Sequence, residues 1–277
     1  MGLTDVLARP FQRTQTSPGA RLARVIALAN QKGGVAKTTT TVNLAVALKE
    51  RGFSVLAVDL DPQANLTMSQ GINPESVERS MFDVLVHSFP LDEVVRRSEI
   101  DVGVSSIDLA GAELALSSMI GRERALQKAL LPVRNRYEYI LIDTPPSLGL
   151  LTINALTAAE GVIVPVQCEY LSLRGLVQLE NTLTMIRENL NPDVDIWGIL
   201  PTMFDSRTIH AREAIEMLKE HFGELVYETR IRKTVRYAEA PVQGVSILKY
   251  DPNSPAAAAY RDLAEEVLNG ASPREHA

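Results

Sequence analysis

The sequence predicts an α/β fold, a doubly wound, mostly parallel sheet with helices on both faces. Three observations predict it. Strand-like apolar runs alternate with helix-like segments along most of the chain, and parallel strands need such crossovers. Runs such as VIALA at 25 to 29 and FSVLAVDLD at 53 to 61 read as buried strands, as expected when both faces are covered. The 277 residues, 45% hydrophobic, suffice for a full core in one large domain.

Taken in order, residues 1–23 carry Pro10, Ser17, Pro18 and Gly19 among Arg and Gln without a sustained period, which suggests a flexible N-terminal arm. The expected single domain spans 24–270, with a disordered tail at 271–277. RVIALAN at 24 to 30 opens the sheet. A helix follows from about 38 to 51, with Val42, Ala45, Val46 and Lys49 at helical spacing and Gly52 as its stop. Further strands are expected at DVGVSS near 101, YEYILID at 137 to 143, GVIVPVQ at 161 to 167, DIWGILP at 195 to 201 and ELVYET at 224 to 229. Between them, the helix at about 171 to 190 places Leu176, Leu179, Leu183, Ile186 and Leu190 three and four apart, a core-facing stripe. The last helix begins at Ser254 with Pro255 in its first turn, passes Tyr260, Leu263 and Val267, and ends near Gly270.

Composition narrows the function classes. A single cysteine, Cys168, excludes an intramolecular disulfide framework and a four-thiolate site within one chain, suits a reducing cytoplasm, and reads as a core residue. No apolar run approaches the roughly 20 residues that span a bilayer, so a soluble protein without membrane partners is expected. The net charge of -6 offers no global attraction to nucleic acid, so such binding must come from a local patch. RIRKTVR at 230 to 236 is the candidate, with Arg230, Arg232, Lys233 and Arg236 in seven positions; a solvated loop is the alternative.

The chemistry concentrates at NQKGGVAKTTTT, residues 30 to 41. The common phosphate-loop spacing fails, because Gln31 and Ala36 stand where its two glycines belong. A cradle nevertheless needs inward backbone amides, close approach at glycines and a helix N-terminus facing the anion. Gly33, Gly34 and the helix starting near Thr38 supply these. Lys37 adds a point charge for the β and γ phosphates, and the Thr38 hydroxyl is placed to ligate Mg²⁺. Ala36 is tolerable if it keeps a right-handed helical conformation. Two carboxylates, Asp59 and Asp61, end a strand at alternate positions and would point to one side while the strand persists. Asp143 stands at the carboxyl end of another strand. All three segments emerge from the edge of a parallel sheet where ligands bind.

KGGVAKT resembles the deviant phosphate loop of the ParA/MinD ATPases, in which Lys, Gly, Gly and two variable residues precede Lys and Ser or Thr. Family members commonly carry Gly where this chain has Ala36. The resemblance implies a deviant Walker nucleotide-binding fold, ATP and Mg²⁺ as cofactors, and ATP contacts from Lys32, Gly33, Gly34, Val35, Ala36, Lys37, Thr38 and Thr39. It implies that Lys32 reaches the partner subunit's phosphates in an ATP-dependent homodimer. VDLDPQANLT at 58 to 67 resembles the first switch, which gives Asp61 the attacking water. YILIDTPPS at 139 to 147 resembles Walker B and the second switch, so that Asp143, with Thr38, serves Mg²⁺.

DLAGAELALSSMIGRERAL, PTMFDSRT, VRYAEAPVQG and YDPNSPAAAAYRDLAEEV look like the Soj/ParA partitioning branch. That branch implies an ATPase, weak alone and stimulated by a ParB-type partner. It binds non-specific double-stranded DNA as a dimer in a cytoplasmic, nucleoid-associated setting. Arg207 and Arg236 align with family arginines implicated in DNA contact, and Lys233 joins them; the MinD branch places the corresponding segment near the adenine. The acidic C-terminal stretch RDLAEEVLNGASPREHA lacks the basic amphipathic helix of a MinD-type membrane ATPase. One cysteine excludes a nitrogenase iron protein, a terminal tyrosine cluster is absent, and a biosynthetic ligase would not need Lys32 or the basic run. The remaining alternatives are a ParA-like ATPase that positions a non-DNA cargo, such as a protein array or a carboxysome, or a MinD-type division-site ATPase.

Overall fold

The apolar run ahead of the glycine-rich loop lies inside a seven-stranded sheet. In the computed structural model, which describes residues 22–169 and 173–270, this strand is β1 (Arg24–Leu28), paired in parallel with β5 (Tyr139–Asp143) on one side and β6 (Gly161–Gln167) on the other. The sheet order is β3-β4-β2-β5-β1-β6-β7, with β2 at Val55–Asp59, β3 at Val95–Arg97, β4 at Asp101–Gly103 and β7 at Asp195–Thr202. Every pairing is parallel except β3 with β4. The arm expected at 1–23 falls almost wholly outside the described residues, and the tail at 271–277 does so entirely.

Helices cross over between the strands: α1 (Lys37–Glu50), α2 (Asn65–Ser69), α3 (Met81–His87), α4 (Leu91–Val94), α5 (Ala112–Ser117), α6 (Ala125–Leu130), α7 (Leu150–Ala158) and α8 (Leu173–Asn189). After β7 come α9 (Ile209–Phe222), α10 (Arg236–Val242), α11 (Ile247–Tyr250) and α12 (Pro255–Gly270). Strand residues alternate between two cores. Val25, Ala27, Leu56, Val58, Ile140 and Ile142 face the layer built from α3 and α5 to α8. Ile26, Leu28, Val55, Ala57, Tyr139 and Leu141 face α1, α11 and α12. Burial on both sides is why these strands are apolar along their interiors, with charged residues only at their ends.

The stripe on α8 packs as expected: Leu176, Leu179, Leu183 and Ile186 are buried in the first core, with Leu190 partly covered beside it. Each such side chain contributes about 1.5–3 kcal/mol by leaving water. Ser254 caps α12, its hydroxyl accepting from the Ala257 amide at 3.1 Å, and Tyr260, Leu263 and Val267 are buried. Cys168 is buried with Phe204, Ala211, Ala214 and Ile215, as a core cysteine should be. Among the described residues no helix is long and apolar enough to cross a membrane.

One expected strand fails and one strand is unexpected. ELVYET is not a strand: Gly223–Leu225 forms a 3₁₀ turn and only Val226 bridges to Ile199 of β7. The Glu228 and Thr229 amides, which a longer ladder would use, donate instead to the Glu266 carboxylate on α12, both at 2.8 Å. Conversely β3, three residues with Arg96 and Arg97 at its end, is too short and too polar to show a period. It forms one edge of the sheet, as an antiparallel hairpin with β4. At the opposite edge Tyr227 and Ile231 donate their amides to Ile199 and Pro201 of β7.

Candidate active site

β1 delivers the chain to the loop, and Asn30 fixes its start. The buried Asn30 side chain donates to the Pro165 carbonyl on β6 at 2.7 Å, while its oxygen accepts from the Lys32 amide at 2.9 Å. Gly34 takes φ 73°, a conformation that glycine adopts without steric cost. Ala36 does not keep the expected right-handed conformation: it is left-handed, at φ 67° and ψ 30°. The chain must swing from loop to helix in one residue, and the methyl group there costs about 1–2 kcal/mol.

With Ala36 at the cap position, no side chain caps α1. Its first amides therefore lack intrahelical partners, and the helix dipole adds partial positive charge at the same place. That is the donor set a phosphate chain needs. Lys37, 7% exposed, folds its ammonium across the loop to donate to the Asn30 and Lys32 carbonyls at 3.1 and 3.2 Å. Burial lowers its pKa, while Asp143 and Asp61 act in the opposite direction.

Asp143 closes β5 with no exposure. Its carboxylate accepts from the Thr38 hydroxyl at 2.6 Å and, more weakly, from Thr41 at 3.4 Å. Burial first and then Asp59 push its carboxyl well above the ordinary range. Asp143 and Asp61 thus act on one buried ammonium, and Asp59 lies near enough to Asp143 to raise its pKa. Such an excess of carboxylates, with the Thr38 hydroxyl among them, fits a hard dication with oxygen ligands.

The strand expectation for Asp59 and Asp61 holds only halfway, because β2 ends at Asp59. Asp59 turns inward, where its carboxylate accepts from the Asp61 and Thr67 amides at 3.1 and 2.9 Å. Burial raises its pKa to about 6. Asp61 lies past the strand, accepts from the Gln63 amide at 2.9 Å and faces a cavity.

That cavity holds about 450 Å³. Gly33, Gly34, Ala36, Lys37, Thr38, Thr39 and Asp61 line one end; Met203, Tyr237, Ala240, Pro241, Val245 and Ile247 form an apolar wall at the other. Asn43 on α1 joins the two, its oxygen accepting from the Ile247 amide at 2.8 Å. Sequence reasoning missed this wall as a lining surface. VRYAEAPVQG was its only signal, and nothing in one sequence says that residues 200 positions apart share a pocket.

Two expected ATP contacts lie off the cavity within this chain. Val35 is buried, and its carbonyl accepts from the Thr202 hydroxyl at 3.1 Å. Lys32 points outward, its side chain 44% exposed, and donates to Gln167 at 2.8 Å and Glu169 at 2.9 Å beyond β6. The basic residues fall near one another: the Phe204 amide donates to the Ile231 carbonyl at 3.1 Å, joining the loop of Arg207 to the run 230–236. Arg207 is 87% exposed and holds Asp205 as a fork, Lys233 is exposed, and Arg236 at the start of α10 pairs with Asp251. Arg230 stacks over the Phe204 ring, 5.2 Å from its centroid.

Known proteins share this arrangement. The model of the AAA domain family matches residues 23–196. The sporulation initiation inhibitor protein Soj of Bacillus subtilis is 48% identical over 249 residues, covering 89% of this chain and 98% of that protein. The chromosome partitioning protein ParA of Myxococcus xanthus is 40% identical over 258 residues, covering 92% and 91%. A solved structure described as cobyrinic acid a,c-diamide synthase from Mycobacterium smegmatis, with bound ATP analogue and magnesium, superposes with a TM-score of 0.80 at 41% identity, covering 90% of this chain and 95% of that one. With its deviant glycine-rich loop, its parallel sheet and relatives matched along nearly their whole length, this chain belongs to the Soj/ParA family of the ParA/MinD superfamily and is an ATPase that uses ATP and magnesium.

Proposed function

We propose that this ATPase partitions DNA: with ATP it pairs with a second copy, binds double-stranded DNA without sequence preference, and lets go when a ParB-type partner speeds hydrolysis. One observation carries the reading. The likeness to a chromosome partitioning protein covers 92% of this chain and 91% of that one, and so runs well past the nucleotide loop. The exposed Arg207 and Lys233, beside Arg236, supply the local positive charge that an acidic protein needs to meet phosphates.

The chemistry follows from positioning and charge, since phosphoryl transfer asks little covalent work of a protein. The amides of residues 33 to 38 and the Lys37 ammonium hold the phosphates. Thr38 and Asp143 would hold the magnesium ion, which would supply positive charge to neutralise the triphosphate. Asp61 orients the attacking water. Lys32, already outside the cavity, adds its charge to the phosphates of the other copy once two chains meet.

The test is retention on immobilised DNA with ATP, ADP or no nucleotide, at rising salt. ATP-dependent retention that falls steeply with salt, and that weakens about tenfold in a combined Arg207→Glu and Lys233→Glu variant, is expected. Retention equal in all nucleotide states, or unmoved by salt and by the variant, overturns the reading.

A further inference from the structure

Asp61 has both its backbone groups clamped by a closed, buried ring of hydrogen bonds drawn from three segments. Its amide donates to Asp59 Oδ1 at 3.1 Å. The other Asp59 oxygen accepts from the Thr67 hydroxyl at 2.7 Å and amide at 2.9 Å. The Thr67 hydroxyl in turn accepts from the Ser105 amide at 3.0 Å, and the Ser105 hydroxyl donates to the Asp61 carbonyl at 2.8 Å, which closes the ring. Asp59, Thr67 and Ser105 have no exposed surface at all.

We infer that Thr67 is a positioning residue for Asp61, the hydroxyl through which α2 and the segment after β4 hold the peptide unit that aims the Asp61 carboxylate into the cavity. The inference rests on the reading that Asp61 orients the attacking water. Thr67 touches neither the cavity nor, by this geometry, any reacting atom. Its hydroxyl both donates to Asp59 and accepts from Ser105, so its removal cuts the link to Ser105 and leaves Asp59 held to α2 by the Thr67 amide alone. Asn65 and Ser69 on the same short helix do line the cavity, so the element carrying Thr67 is also in reach of nucleotide. A serine would keep the hydroxyl; a valine would keep the shape and lose it.

A misplacement of the water-orienting group acts on the chemical step and not on ATP binding. Turnover and affinity for a non-hydrolysable ATP analogue should be measured for wild type, Thr67→Val, Thr67→Ser, Ser105→Ala and Asp61→Ala, with a melting curve for each. Thr67→Val and Ser105→Ala are expected to lower kcat about tenfold, with affinity within about twofold and Thr67→Ser close to wild type. Adding Thr67→Val to Asp61→Ala should cost nothing further, since the aimed group is already gone. Ser105→Ala removes a single bond and keeps the test open if the valine variant fails to fold. Unchanged turnover in Ser105→Ala or a folded Thr67→Val, beside a slow Asp61→Ala, overturns the ring's role alone. Wild-type turnover in Asp61→Ala overturns the reading of Asp61 and the inference with it.

Discussion

The Thr38 hydroxyl donates to the Asp143 carboxylate at 2.6 Å, tying the first turn of α1 to the last residue of β5. Burial and the neighbouring Asp59 hold that carboxyl well above the ordinary range, so it keeps its proton to higher pH than an exposed aspartate. A dication favours the ionised form and must displace the proton. Affinity for magnesium-ATP should therefore fall as pH falls, by up to about tenfold per unit where one proton is exchanged. Calorimetry in buffers of different ionisation heat would show proton release. A pH-independent affinity with no proton released would contradict the assignment of Asp143 to the metal.

Lys37 is the buried cation of the loop, and its removal leaves the phosphates with amides alone. Lys37→Ala should weaken ATP by at least about a hundredfold, equivalent to about 2.7 kcal/mol. Titration with a fluorescent analogue measures it, beside a melting curve to confirm folding. An affinity within a few fold of wild type would remove Lys37 from the cradle.

Lys32 behaves oppositely in the same assay. Its partners Gln167 and Glu169 are surface groups, and an exposed ion pair of this kind is worth about 0.2–1 kcal/mol. Lys32→Ala should leave folding and single-chain ATP affinity nearly unchanged while reducing dimer formation about tenfold in a non-hydrolysable analogue. Sedimentation velocity decides the matter, and undiminished dimers would refute the reach across the interface.

At Ala36 the backbone is left-handed, which an L side chain resists. Ala36→Gly should stabilise the protein by about 0.5–1 kcal/mol, the relief exceeding the entropy that glycine adds to the unfolded chain. For a domain of this size that is a rise of about 1–3 °C in Tm. A fall in Tm would mean that the loop gains more from the methyl contacts than it loses in strain.

Much of this site is legible in the letters because each signal is local. Gly33, Gly34 and Lys37 announce a loop at the end of an apolar run, and Asp143 ends another such run where a parallel sheet presents its ligands. What stays hidden depends on the chain's return from a distance. The Glu266 carboxylate, 37 positions beyond Thr229, takes the amide that would have extended a strand at 224–229. The inward turn of Asp59 depends on Thr67, and the left-handed state of Ala36 depends on how abruptly a loop must enter a helix. The apolar wall from Tyr237 to Ile247 has no period or motif of its own, and only the packing of α10 and α11 against the loop shows that it faces Lys37.

One margin of the sheet is covered by the stretch around Tyr227 and Ile231, and the other is β3 itself, three residues that end in Arg96 and Arg97. An open ladder at a sheet margin is a template on which another chain can pair and build fibres. Here the chain's own segment covers the β7 side, and the β3 side is kept short and charged. On the proposed function, copies would meet at the face where the glycine loop opens, and nucleotide, not backbone stickiness, would govern when they join and separate.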